Sequence, residues 1–163
     1  MKTILLTGSV ICGLMISGQA QVGKKSAGDP RVGVLLDQAG LKFTVDPEGD
    51  FRLHNEVSDG RSQLIWILSK TSGLGDLEIR EVWSIAFKSP EPFSAKVGHL
   101  LLEQNGQTKI GAWQMRKMGD DFAAVFSAQI AADTDVDSLV TVIQAVAETA
   151  DDMEEELSEG DDW

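Results

Sequence analysis

Apolar residues in the middle of this chain recur at every second position, and the runs that carry them are separated by tight-turn signals. That pattern constrains the fold more than any other feature, because side chains of an extended strand alternate between two faces. Phe51, Leu53 and Val57 alternate with Arg52, His54 and Glu56, which marks a strand with one wet face. Leu64 to Leu68 is apolar on both faces and reads as a central strand. Leu77, Ile79, Trp83, Ile85 and Phe87 share one parity and predict a third, long strand. Ile110 to Arg116 and Phe122 to Ile130 predict two more around Gly119-Asp120, with Phe122, Ala124, Phe126, Ala128 and Ile130 on one face. Asp46-Pro47-Glu48-Gly49 and Asp59-Gly60 read as turns, Gly73-Leu74-Gly75-Asp76 as a loop, and Lys42 to Val45 as a brief strand.

Three segments break the period of two. Asp29-Pro30 offers an N-cap and a first helical residue, followed by Val32, Leu35, Leu36 and Ala39 at helical spacing and Gly40 at a left-handed C-cap position. Ser89-Pro90-Glu91-Pro92 opens a second helix, with Phe93, Val97, Leu100 and Leu101 on one side and Asn105-Gly106 at its end. Thr134 and Asp137 have capping-box spacing at the start of the last helix. Val136, Leu139, Ile143, Val146, Ala150, Met153 and Leu157 then recur at steps of three and four. The expected architecture is α+β. An antiparallel sheet of about five strands has helices packed against it in the order α-β-β-β-α-β-β-α.

Lys2, the short run Ile4 to Ile16 and the small residues of Gly18-Gln19-Ala20 have the layout of a secretory signal peptide. Cleavage is expected after Ala20, giving a periplasmic or extracellular protein. The alternatives are an uncleaved anchor and lipid attachment at Cys12. The run is shorter than a bilayer requires, and Ser9-Val10-Ile11 lacks the small residue expected just before a lipidated cysteine. Cys12 is the one cysteine of the chain, so removing residues 1–20 leaves no thiol, which suits an oxidising compartment. Gln21 to Gly28 reads as a flexible leader, residues 29–157 as one domain and 158–163 as an acidic tail. A net charge of −12 on 163 residues argues against nucleic acid or an anionic membrane as partner, since both select clustered Lys and Arg.

The order of elements resembles the type III secretion chaperone-like fold. Three stretches resemble the YbjN-like proteins, described as bacterial sensory transduction regulators. They are Asp59-Gly60-Arg61-Ser62-Gln63, Leu77-Glu78-Ile79-Arg80-Glu81-Val82-Trp83-Ser84, and Ala147-Glu148-Thr149-Ala150-Asp151-Asp152-Met153-Glu154-Glu155. The resemblance covers roughly residues 30–157. It implies a non-enzymatic, chaperone-like or adaptor domain, often dimeric, and brings no catalytic residues. An exported member departs from a cytoplasmic chaperone or regulator.

The residues themselves carry no nucleophile elbow, P-loop, zinc-protease or Rossmann signature. His54 and His99 read as solvated side chains without an orienting partner. No cofactor and no metal is expected. Trp66, Trp83 and Trp113 all fall on expected strands; they are either core or a partner-binding face, since aromatics concentrate in binding hot spots. The stripe from Val136 to Leu157 either packs on its own sheet or forms the seam of a homodimer. Glu148, Asp151, Asp152, Glu154, Glu155, Glu156, Glu159, Asp161 and Asp162 crowd the C-terminus. A self-repelling helix end is the plain reading, and a cation site made of hard carboxylate oxygens is the alternative. The leading expectation is a protein-binding domain. The other is a small-ligand or cation sensor using the acidic helix or a pocket between sheet and helices.

Overall fold

Asp29 caps the first helix as its position suggests. Its carboxylate accepts a hydrogen bond from the Arg31 backbone N–H at 2.9 Å, and Pro30 occupies the first turn. A computed structural model describes residues 27–158 of the chain. The expected signal peptide, nearly all of the leader, the acidic tail beyond Ser158 and the terminal Trp163 lie outside the described residues.

Helix α1 spans Pro30–Gln38, α2 spans Ala95–Asn105 and α3 spans Val136–Leu157. The strands are β1 (Thr44–Val45), β2 (Phe51–Glu56), β3 (Ser62–Ile67), β4 (Ser72–Leu74), β5 (Leu77–Ser89), β6 (Ala112–Met118) and β7 (Asp121–Ala131). All pairs are antiparallel. The sheet runs β1-β2-β3-β5-β7-β6, with β4 paired to the start of β5. The α+β class and the antiparallel sheet are as expected, but there are seven strands rather than about five. The strand β4 lies where a loop is expected. All three of its residues are exposed, so it has no apolar alternation to reveal it. A single turn of 3₁₀ helix, Ser58–Gly60, takes the place of the tight turn at Asp59-Gly60.

All three helices contribute to one core on one side of the sheet. Val32 and Leu36 of α1, Leu101 of α2, and Leu139, Ile143, Val146, Ala150 and Met153 of α3 meet Leu53, Ile65, Ile67, Val82, Ala86, Phe126 and Ala128. Each such large apolar side chain contributes roughly 1.5–3 kcal/mol by leaving water. Helix α3 is the main cover and packs across β2, β3, β5 and β7. Its cap is Asp135, whose Oδ1 accepts from the Ser138 N–H at 2.8 Å, and not Thr134. The Thr134 N–H instead bonds the Ala131 carbonyl, in the turn that leads out of β7.

The shared parity expected along β5 holds only to Ile85. Pairing to β7 passes from Ile85↔Val125 to Phe87↔Ala124, so one extra residue is inserted. A bulge of this kind puts two consecutive side chains on one face. Ala86 and Phe87 accordingly both join the helix-side core, while Trp83 and Ile85 face the other way. Gly111, at φ 79, leads the chain into β6; a Cβ there would lie 2.8 Å from the Ser127 carbonyl oxygen. No helix among the described residues is long and apolar enough to cross a membrane.

Candidate functional site

Strands β3 and β5 place polar residues inward at positions where alternation calls for apolar ones. Gln63 and Ser84 are both fully buried beneath α3. The Ser84 hydroxyl lies 2.7 Å from Gln63 Oε1 and 2.9 Å from the Leu64 carbonyl. Gln63 Nε2 donates to Glu154 of α3 at 2.5 Å, and Glu154 is itself fully buried. Arg61, at the mouth of β3, donates through Nε to Asp151 at 2.6 Å and approaches Glu154 at 3.5 Å. The three stretches quoted above from distant parts of the chain therefore meet in one polar cluster. Buried carboxylates persist where cations and donors compensate them, and here Arg61 and Gln63 do so.

The opposite face of the same strands carries the aromatic feature. Trp66 pairs in register with Trp83, and their rings stack at 4.3 Å with an interplanar angle of 3°. Side chains directly opposite on neighbouring strands are close enough for such contact. Around them lie Ile85, Ala123, Val125, Leu68 and Met118. The Arg116 guanidinium is 5.6 Å from the centre of the Trp83 ring, within cation–π range. Arg116 is held there by Glu81, which also accepts from the Ser127 hydroxyl at 2.5 Å. Trp83 is 8% exposed, and its indole N–H has no hydrogen-bond partner among the described residues. No described helix lies on this face.

The three expected tryptophans are thus divided. Trp66 and Trp83 form one feature on the helix-free side. Trp113 belongs to the helix-side core, tilted against Phe126 at 5.2 Å, and its indole N–H donates to Gln104 of α2. It is removed from the partner-binding set, because the strand β6 turns its inward face to α2. The proposed dimer seam is corrected in the same way. Leu139, Ile143, Val146, Ala150 and Met153 are at most 1% exposed. Val136 and Leu157, at the two ends of α3, are half-buried. The stripe covers the protein's own sheet, which leaves it no surface for a second copy. His54 and His99 are exposed. His54 lies opposite Leu64 on the helix-free side.

A second polar network ties α1 to the β4–β5 hairpin. Arg80 is 2% exposed and donates to Asp29 at 2.6 Å and to the Leu68 carbonyl at 2.5 Å. Arg31 bridges Asp29 and Glu78. The Arg31 hydrogen bonds, with Arg80 adding to them against the opposing effect of burial, hold the Asp29 carboxyl well below the usual range. Glu78 is lowered to about 2, chiefly by Arg31 and then by the Thr71 hydroxyl. Near the acidic end of α3 the reverse holds. Partial burial raises Asp152, and Asp151, Glu148 and Glu155 raise it further by repulsion. Among the described residues no group of three or more His, Cys, Asp or Glu side chains is arranged to hold a metal ion.

The tryptophan pair was legible as strand aromatics. The Gln63–Ser84–Glu154 cluster is not legible in the same way, although inward-facing polar residues on two neighbouring strands are its signal. The chain matches no protein-family model and no curated protein.

Proposed function

We propose that this chain is a non-enzymatic protein-binding domain, chaperone-like or adaptor in kind and akin to the YbjN-like proteins. Its binding surface is the helix-free face of the sheet. The observation that carries this reading is the stacked Trp66–Trp83 pair, set in an apolar patch with an indole N–H that no described residue accepts. An extended polypeptide supplies what that patch lacks: apolar or aromatic side chains to cover the rings. The net charge of −12 selects a partner rich in Lys and Arg, because complementary charge speeds encounter and suppresses wrong partners. Export, with the leader removed after Ala20, belongs to the same reading. The dimer has lost its expected seam on α3, and the pair of tryptophans does not depend on it.

Titration with a synthetic peptide of alternating Lys and Phe, followed by tryptophan fluorescence, tests the reading. A saturable spectral change is expected, weakened about tenfold or more in Trp66→Ala and retained in Trp113→Phe. Equal binding by Trp66→Ala, or equal binding of a Glu–Phe peptide, overturns it.

A second reading, a cation sensor, is the weaker one: Asp151, Glu148 and Glu155 crowd Asp152, but no described group of three or more carboxylates is arranged to hold a metal ion. Calorimetric titration with Ca²⁺ decides it. Heat and a raised melting temperature at millimolar Ca²⁺ support it, and the absence of both removes it.

A further inference from the structure

The chain has five arginines, and four of them close ion pairs. Arg31 pairs with Asp29 and Glu78, Arg61 with Asp151 and Glu154, Arg80 with Asp29, and Arg116 with Glu81. Arg52 is the exception. No Asp or Glu among the described residues lies within ion-pair distance of it, and its Nε is buried with no hydrogen-bond partner among them. With 26 acidic and 14 basic residues in the chain, an arginine kept apart from carboxylates calls for a physical reason.

The backbone around Arg52 supplies a site. Strand β1 pairs with β2 only through Thr44↔Arg52 and Val45↔Phe51. Beyond Thr44 the chain diverges from β2 and opens a cleft of about 520 Å³. Lys42, Arg52 and His54 line it, with Phe43 and Leu64 as apolar walls and Thr44 beside them. Of the two acidic residues flanking Arg52 along the chain, Asp50 accepts from the Ser69 N–H at 2.8 Å and Glu56 pairs in register with Ser62; both are outside the cleft lining. Two cations and an imidazole thus converge, in a strongly acidic protein, on a concave surface with apolar walls.

We propose that this cleft binds the carboxylate of an organic acid. The two terminal nitrogens of the planar guanidinium, unlike the buried Nε, offer a fork that matches the two oxygens of a carboxylate. Lys42 adds a point charge and His54 a ring nitrogen. The walls of Phe43 and Leu64 favour an acid with a carbon skeleton over a bare inorganic anion. The carboxylate has two sources, a free small acid or the C-terminus of a polypeptide; the cleft adjoins the tryptophan face, where Arg52 pairs in register with Trp66, but the assignment does not rest on the function proposed for that face.

The test uses the full chain labelled with ¹⁵N, at constant ionic strength. It is titrated with citrate, N-acetylphenylalanine, N-acetylphenylalanine amide and inorganic phosphate. Saturable shifts centred on the amides of Lys42, Phe43, Arg52 and His54 are expected with citrate or N-acetylphenylalanine. Tighter binding of citrate identifies a free acid as the source, and tighter binding of N-acetylphenylalanine identifies a chain terminus. Arg52→Gln is expected to weaken binding at least tenfold, and Lys42→Gln about threefold. Lys42 is exposed, so its variant keeps the test open should Arg52→Gln disturb the sheet. The proposal is overturned if the amide binds as tightly as the acid, or if phosphate matches the carboxylates. It is equally overturned if no probe shifts the cleft, or if the folded variants bind like the parent.

Discussion

Replacing Asp151 by Ala removes the carboxylate that Arg61 Nε meets at 2.6 Å. The Asp151 side chain is 4% exposed and that of Arg61 21%, so the pair falls between two known limits. Breaking a fully buried pair by deleting one partner costs about 3–5 kcal/mol, whereas exposed pairs are worth roughly 0.2–1 kcal/mol. Water reaching one edge of Arg61 lowers the cost of stranding it, and its 3.5 Å approach to Glu154 compensates part of the charge. The expected loss is therefore about 2–3 kcal/mol. For a body of this size that lowers Tm by roughly 6–12 °C. Urea unfolding followed by circular dichroism should show a lower midpoint at unchanged slope. A double-mutant cycle with Arg61→Met isolates the pair, and its coupling energy should reach about 1–2 kcal/mol. Coupling below about 0.5 kcal/mol, with both single variants fully destabilised, would refute the reasoning. The cost would then lie in lost packing rather than in the charge pair.

Three further outcomes follow from named contacts. Asp29 is held below its ordinary value of 3.8 in the folded protein, so its contribution is complete above about pH 4 and is lost as pH falls through the folded value. Between pH 5 and pH 2, Tm should fall less steeply in Asp29→Asn than in the parent, and parallel curves would contradict the assignment. Asp152 is raised, so ionising it opposes folding. Asp152→Asn should therefore raise Tm at pH 7, by about 2 °C or less given the small effects of surface changes, and the gain should vanish at pH 3; a loss at pH 7 would count against the repulsion. Trp113→Ala should cost about 3–5 kcal/mol in urea unfolding, as large deletions in a core do. The half-buried Trp66 should cost less than half of that, and equal losses would mean that the two faces are equally covered.

Strongly periodic segments could be read directly from the residues. The strands β2, β3, β6 and β7 and all three helices lie within a few residues of their expected positions, because one apolar face imposes a clear period. The Asp29 cap and the left-handed Gly40, at φ 68, were legible from local chemistry alone. What stayed hidden depends on tertiary pairing. Strand β4 buries nothing, so its pairing to Leu77–Ile79 leaves no mark on its composition. The bulge at Ala86 sets Ile85 and Phe87 on opposite faces without any turn residue to announce it. The cap of α3 fell to Asp135 rather than Thr134, since both fit the spacing and only the path out of β7 separates them. At the candidate site, Trp66 and Trp83 could be placed on strands but not on the same row, because register is a property of two strands together.

Register also gives the buried polar cluster its physical role. A slip of one residue between β3 and β5 would exchange the two faces of β3. It would turn Gln63 outward and bring Trp66 under α3. Packing alone opposes such a slip weakly here, because Leu64, Trp66 and Leu68 are nearly as apolar as Ile65 and Ile67. The contacts from Gln63 to Ser84 and Glu154 exist in one register only, and that register sets Trp66 opposite Trp83. Buried polar groups add little net stability compared with apolar side chains that fit, but they penalise alternatives by leaving donors and acceptors unpaired. The three stretches that meet at Glu154 thus align, from the helix side, the two rings that stack on the other.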